Sequence, residues 1–258
     1  MTYTYFYAIL CTERQSKERQ LNNPRKAFVE LRDRYRPLYD ARVALHERLL
    51  EAKVPMIGHD FFGHDLPVAQ TCLLIHEDKS ACERAWVAAL LHSLDRLMSP
   101  QEEEDTLTEL LSLVSEKVMG TEVKKEIRLA LRNHDKANGE NDSLTQQILQ
   151  DADRLANAQS IILIRAGQFT STVPAVELGH LGFARHPESS YRNTRSTHDD
   201  LIGVLEWDPE GPEACAPFCL RLPKAIEFGR PHFAYIRDWI RRVQSDFAVL
   251  GLDPWPIE

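Results

Sequence analysis

"AALLHSLDRL", residues 88–97, sets the reading of the chain. Ala88 to Leu91 form a small, apolar run of the kind that ends a buried helix. His92 closes that run. Ser93 follows it, and Asp95 stands two residues further on. An imidazole at the end of a core helix is either satisfied within the core or held there as a ligand. Upstream, Ser80 with Glu83 three residues later has the pattern of a capping box, which starts this helix near residue 80.

Helical periodicity extends outward in both directions. Residues 24–53 place Phe28, Leu31, Tyr35, Leu38, Val43 and Leu49 at helical spacing, with Pro37 as a kink or break. A Gly- and Pro-containing loop over 54–67 follows. Further helices are expected over 66–77, 80–92, 104–119, 122–134 and 144–166, the last capped by Ser143 with Gln146. Residues 167–232 are richer in Gly, Pro, Ser, Thr and Asn. Within them "LIGVLEW" (201–207) and "FCLRL" (218–222) alternate weakly and suit a β-hairpin. A helical period returns over 232–250. The expected fold is mostly α: a helical bundle, an irregular flap with room for a β-hairpin, and a final helix. Residues 1–55 are read as a helical segment packing on a core over 56–166. Residues 167–258 are read as flap and final helix of the same domain.

Composition narrows the class. The chain has 258 residues, 43% of them hydrophobic and 27% charged, with a formal charge of −8. An acidic chain is a poor partner for long nucleic acid, which needs a basic stripe. It still accommodates a short anionic substrate in a local basic pocket. The five cysteines are odd in number and scattered, which is no disulfide framework. Cys215 and Cys219 lack the second pair of a four-ligand zinc site. No apolar stretch reaches the roughly 20 residues of a membrane span. The N-terminus has a short apolar run without a basic lead or a cleavage site, so it is not read as a signal peptide. The expectation is a cytoplasmic protein, without a membrane partner, whose aromatic C-terminal helix can support a homo-oligomer.

Four short pieces carry chemistry. They are "GHDFFGHDLPVAQ" (58–70), "AALLHSLDRL", "LRNHDKANG" (131–139) and "LQDADRLANA" (149–158). Imidazoles and carboxylates brought together from separate helices can hold a divalent cation. The order of a histidine, an "LLH" with a small polar residue, another histidine and "DADRL" resembles the HD-domain superfamily of metal-dependent phosphohydrolases. The resemblance covers about residues 56–165. It implies His64, His92 and Asp151 as metal ligands, one divalent ion (Mn, Fe, Co, Ni, Zn or Mg) and a small phosphorylated substrate such as a nucleotide. His59 and Asp60 are read either as supporting groups around the ligands or as a loop-capping pair, and Asp153 either as a supporting group or as part of an exposed ion pair with Arg154. The departure is Ser93, which stands where the superfamily keeps the aspartate of its His-Asp doublet. Asp95, three residues past His92 and on the same face of a continuing helix, is a candidate substitute ligand.

His134, Lys136 and Arg96 are the candidate catalytic groups, although His134 and Lys136 equally suit a solvated helix C-terminus. Arg185, Arg192 and Arg195, in a loop that also carries His186 and His198, are candidate phosphate clamps; an ordinary solvated loop has the same composition. Two functions remain open from the sequence. One is a phosphohydrolase using a metal-activated water. The other is a pseudoenzyme that keeps the fold as a binding or interaction module.

Overall fold

The computed structural model describes residues 23–56, 58–190, 193–254 and 256. The chain enters through α1 (Pro24–Arg34), capped by the Asn23 side chain, and α2 (Arg36–Glu51). The break falls at Tyr35, one residue before α2, with Pro37 near the new N-terminus, where its missing N–H costs nothing. A π-helical turn (Phe61–Asp65) leads into α3 (Leu66–Cys72). Then come α4 (Lys79–Ala89), a short α5 (Leu94–Leu97), α6 (Pro100–Ser112) and α7 (Thr121–Asn133). The chain continues through α8 (Leu144–Ala158), α9 (Ile162–Phe169), α10 (Thr197–Leu205) and a long α11 (Pro223–Val249).

The mostly α expectation holds, and the hairpin does not. Residues 201–205 belong to α10, and 216–218 form a 3-10 turn. Among the described residues the only β pairing is an isolated bridge between Ser190 and Asn193. "LIGVLEW" has too few residues for its weak alternation to be told from a buried helical face, and α10 buries Leu201, Ile202, Val204 and Leu205 together. The 144–166 segment is two helices, parted after Ala158, where Gln159 is extended. Ser143 caps α8 as expected, accepting from Gln146 N at 3.2 Å. The cap of α4 is Asp78 rather than Ser80, because its carboxylate accepts from Ala81 N at 2.9 Å.

Helix α8 is the axis of the molecule. It packs on α3, α4, α7 and α11. Nearly every position from Thr145 to Ala158 is buried, so its polar side chains must find partners inside. Gln150 donates to the carbonyls of Asn133 and Lys136. Thr145 accepts from Arg84. One hydrophobic cluster runs from Leu31 in α1 through α8 to Ile240 in α11, and residues 1–22 of the expected N-terminal segment lie outside the described residues. Among the described residues no helix is long and apolar enough to cross a membrane.

Candidate metal centre

The π-helical turn places the first histidine. Asp60 caps it, accepting from Gly63 N at 2.6 Å. A Cβ at Gly63 would stand 2.5 Å from that carboxylate, so the tight cap requires glycine. The turn carries His64 and Asp65 inward, both buried. Asp60 is thus a local cap. Asp65 is a core ion-pair partner of Arg42, at 2.6 Å.

The second histidine comes from the turn after α4. The helix ends at Ala89, and His92 Nδ1 lies 2.7 Å from Ala89 O. A donor role for Nδ1 there leaves Nε2 bare and facing inward. That nitrogen lies 2.9 Å from His64 Nε2. The carboxylate completing the set is Asp153 of α8, whose Oδ1 is 3.2 Å from His64 Nε2 and 3.6 Å from His92 Nε2. His64, His92 and Asp153 could therefore hold a metal ion.

Asp151, the carboxylate expected there, faces elsewhere. Its Oδ2 accepts from Arg221 N at 2.9 Å and Leu222 N at 2.8 Å, and it fastens the start of α11 to α8. Two residues along a helix are about 200° apart, so Asp151 and Asp153 cannot share a face. Among the described residues the group that could hold an ion therefore includes Asp153 rather than Asp151, and Asp151 is a structural anchor.

The donors fit a divalent ion. Bonds of about 2.1 Å to three donors at tetrahedral or octahedral angles put neighbouring donors about 3.0–3.4 Å apart. The observed separations bracket that range. Burial opposes the charge on His92, but Asp153 and Asp65 outweigh it and lift its pKa to about 9. Burial pushes His64 well below the usual imidazole range. Burial would raise Asp153, but hydrogen bonds from both histidines hold it well below the usual carboxylate range.

Ser93 is buried, with Oγ 3.5 Å from His92 Nε2. Its hydroxyl therefore borders the cluster. Asp95 does not substitute for the missing carboxylate. The helix has ended before His92, so the same-face relation is lost, and Asp95 pairs with Arg96 at 3.3 Å. Arg96 also reaches Asp135, at 3.5 Å.

The cluster opens into a cavity of about 60 Å³. His59, Arg96, His134 and Arg185, all singled out in the sequence, line it, and so does Asp95. His134 places its ring 5.4 Å from that of His92 and its Nδ1 2.6 Å from Leu131 O. Lys136 lies outside, exposed and bonded to Asn133. Arg195 is also outside the cavity, paired with Glu177 and Glu188. His186 is hydrogen-bonded to Glu188 N, and His198 is buried near Gly182 O. Arg192 falls outside the described residues.

Arg165, Asn157 and Asp200 line the cavity without having been singled out. Arg165 follows an unremarkable apolar run. Asp200 ends a "THDD" that reads as an N-terminal helix turn. Burial pushes the Asp200 carboxyl to about 6, against the pull of Arg185. A carboxyl whose folded pKa lies above its unfolded value weakens the fold as pH rises through that interval. The penalty is absent below about pH 4 and complete above pH 6. Asp200→Asn is therefore expected to stabilise the protein by about 3 kcal/mol at pH 7.5 and not at pH 3.5. Urea midpoints at the two pH values check this; equal shifts at both would contradict it.

No family model and no curated protein matches the sequence. Among solved structures, a crystal structure of a Lactobacillus plantarum protein, a Northeast Structural Genomics target, is similar with a TM-score of 0.59. The match covers 83% of this chain and 97% of that one at 15% identity. At that identity the likeness is one of fold.

Proposed function

We propose that the chain is a metal-dependent phosphohydrolase of HD-domain type, acting on a small phosphate ester. The carrying observation is the convergence of His64, His92 and Asp153 at the wall of a cavity that also holds Arg185. Two imidazoles and one carboxylate suit Mn, Fe, Co, Ni or Zn better than Mg. Such an ion, when bound, supplies a water of lowered pKa and positive charge against the phosphoryl oxygens.

The chain's own residues do the rest. Arg185 is braced by Glu206 at 3.2 Å and can take phosphoryl oxygens with its remaining N–H groups. Gly203 makes room for it: a Cβ there would stand 3.0 Å from Arg185 Nη2. His134, with Nδ1 directed to a carbonyl, keeps Nε2 for a proton. Water oxygen bonds to phosphorus and gives up one proton, the ester P–O bond breaks, and the leaving alkoxide takes a proton that His134 can deliver and then regain from the one the water released.

Titration of the purified protein with Mn, Co, Ni and Zn, followed by a phosphate-release screen, tests the reading. Absence of both binding and turnover sinks it.

Ser93 favours a second reading, a binding module that has given up hydrolysis. A buried hydroxyl contributes neither charge nor a strong ligand beside His92. Ser93→Asp separates the two. For a hydrolase built around three ligands, the wild type binds metal and turns over, and the added carboxylate tightens the ion by about 10-fold or more. For a binding module, metal binding and turnover appear only in the Ser93→Asp form.

A further inference from the structure

The inner cavity is not the whole space. A second chamber of about 400 Å³ shares His134, Asp153, Arg185 and Trp207 with it. The two chambers therefore adjoin, with Arg185 in the wall of both. The outer wall is the loop after α10. It is closed on itself by Cys215 N to Glu206 O at 2.9 Å and Leu220 N to Trp207 O at 2.8 Å. Asn138 clamps it from α8's side of the molecule, with N to Pro217 O at 2.6 Å and Nδ2 to Cys219 O at 2.8 Å. These bonds make the loop a fixed wall carrying Trp207 and Phe218.

Charge decides what fits. The outer chamber is lined by Asp135, Asp153 and Glu206 against two arginines. Arg154 is consumed by Asp151, Asn138 and the Cys219 carbonyl. Among the described residues Arg185 is left as the cation facing both chambers, and it already pairs with Glu206. Among the described residues a second phosphate placed in the outer chamber would meet carboxylates without a spare cation, a like-charge juxtaposition that opposes binding. A flat, uncharged ring meets Trp207 and Phe218 instead. Aromatic walls with a few polar groups are the usual lining of a site for such a ring.

We propose that the outer chamber binds the ring-bearing alcohol portion of a phosphomonoester against Trp207 and Phe218, and rejects esters that carry a second phosphate. This rests on the hydrolase reading for the position of the phosphate, whereas the chamber's affinity for a ring does not.

The test uses the full chain with Mn²⁺. 1-Naphthyl phosphate and adenosine 5′-monophosphate are compared with glycerol 3-phosphate and adenosine 5′-diphosphate. The two ring monoesters are expected to exceed the other two in kcat/KM by at least about 100-fold, and Phe218→Ala is expected to raise KM for 1-naphthyl phosphate about 10-fold. Binding of adenosine is measured in parallel by calorimetry, without turnover. Glycerol 3-phosphate or the diphosphate hydrolysed as well as the ring monoesters overturns the chamber assignment and leaves the hydrolase standing. Adenosine binding that Phe218→Ala abolishes, with no ester hydrolysed, supports the chamber and overturns the hydrolase. Neither binding nor hydrolysis overturns both.

Discussion

Asp153→Asn is expected to weaken divalent-ion binding by at least about 100-fold and to abolish phosphate release, while Asp151→Asn leaves the ion in place. Loss of a mere supporting partner of a metal ligand already costs about 10–100-fold, so loss of the ligand itself sets that as a lower bound. The amide keeps the size of the carboxylate but removes its charge. His92, raised to about 9 by Asp153 and Asp65, then loses one of its two counter-ions, each 3.6 Å away. Asp151→Asn acts on another property. It weakens the acceptor for two backbone N–H groups at the entry to α11, worth about 1.5–3 kcal/mol each when the acceptor is charged. Its expected signature is a lower urea midpoint with unchanged Mn²⁺ affinity. Calorimetric titration of both variants, with circular dichroism to confirm folding, decides. An Asp151 variant that loses the ion while the Asp153 variant keeps it would return the ligand role to residue 151.

That pair also marks where sequence reading stops. The apolar residues of α8, Ile148, Leu149, Ala152, Leu155 and Ala156, are all buried. At 100° per residue, Asp151 and Asp153 lie about 100° to either side of the centre of that stripe. Periodicity assigns them equal status, and only the positions of neighbouring elements tell them apart. His64 and His92 were legible because each sits beside an apolar run that had to be core. Asp95 was misjudged because a helix was carried past Ala89, where no Gly or Pro announces its end. The possible hairpin in the flap was misjudged for a related reason: a short buried helix such as α10 has too few residues to show a period. Arg165 and Asp200 reach the cavity through the packing of α9 against α10, a long-range relation that no local pattern encodes.

One further signal was present and unread. In "RPLYDARVALHE" (36–47), Leu38, Arg42 and Leu45 fall on one helical face, and all three are buried. Arg42 is a charge on an apolar stripe, which demands a partner. It finds Asp65 at 2.6 Å and the Leu90 carbonyl at 3.0 Å, and lies 4.9 Å over the Phe61 ring. These contacts tie α2 to the turn that carries His64 and to the chain just before His92. Arg42→Met is expected to cost about 3–5 kcal/mol, because it leaves the Asp65 carboxylate buried without its cation. The double change Arg42→Met with Asp65→Leu removes both charges and is expected to recover much of that loss. The recovery separates a stranded charge from simple lost packing, which the double change would only deepen. Guanidinium unfolding of the three forms measures it; a single-variant loss below about 1 kcal/mol, or a double variant weaker than the single, would contradict it. Asp65 Oδ1 also lies 3.6 Å from His92 Nδ1. Restored stability in the double variant without restored ion affinity would therefore assign Asp65 a second task, holding the His92 ring so that its Nε2 faces Asp153.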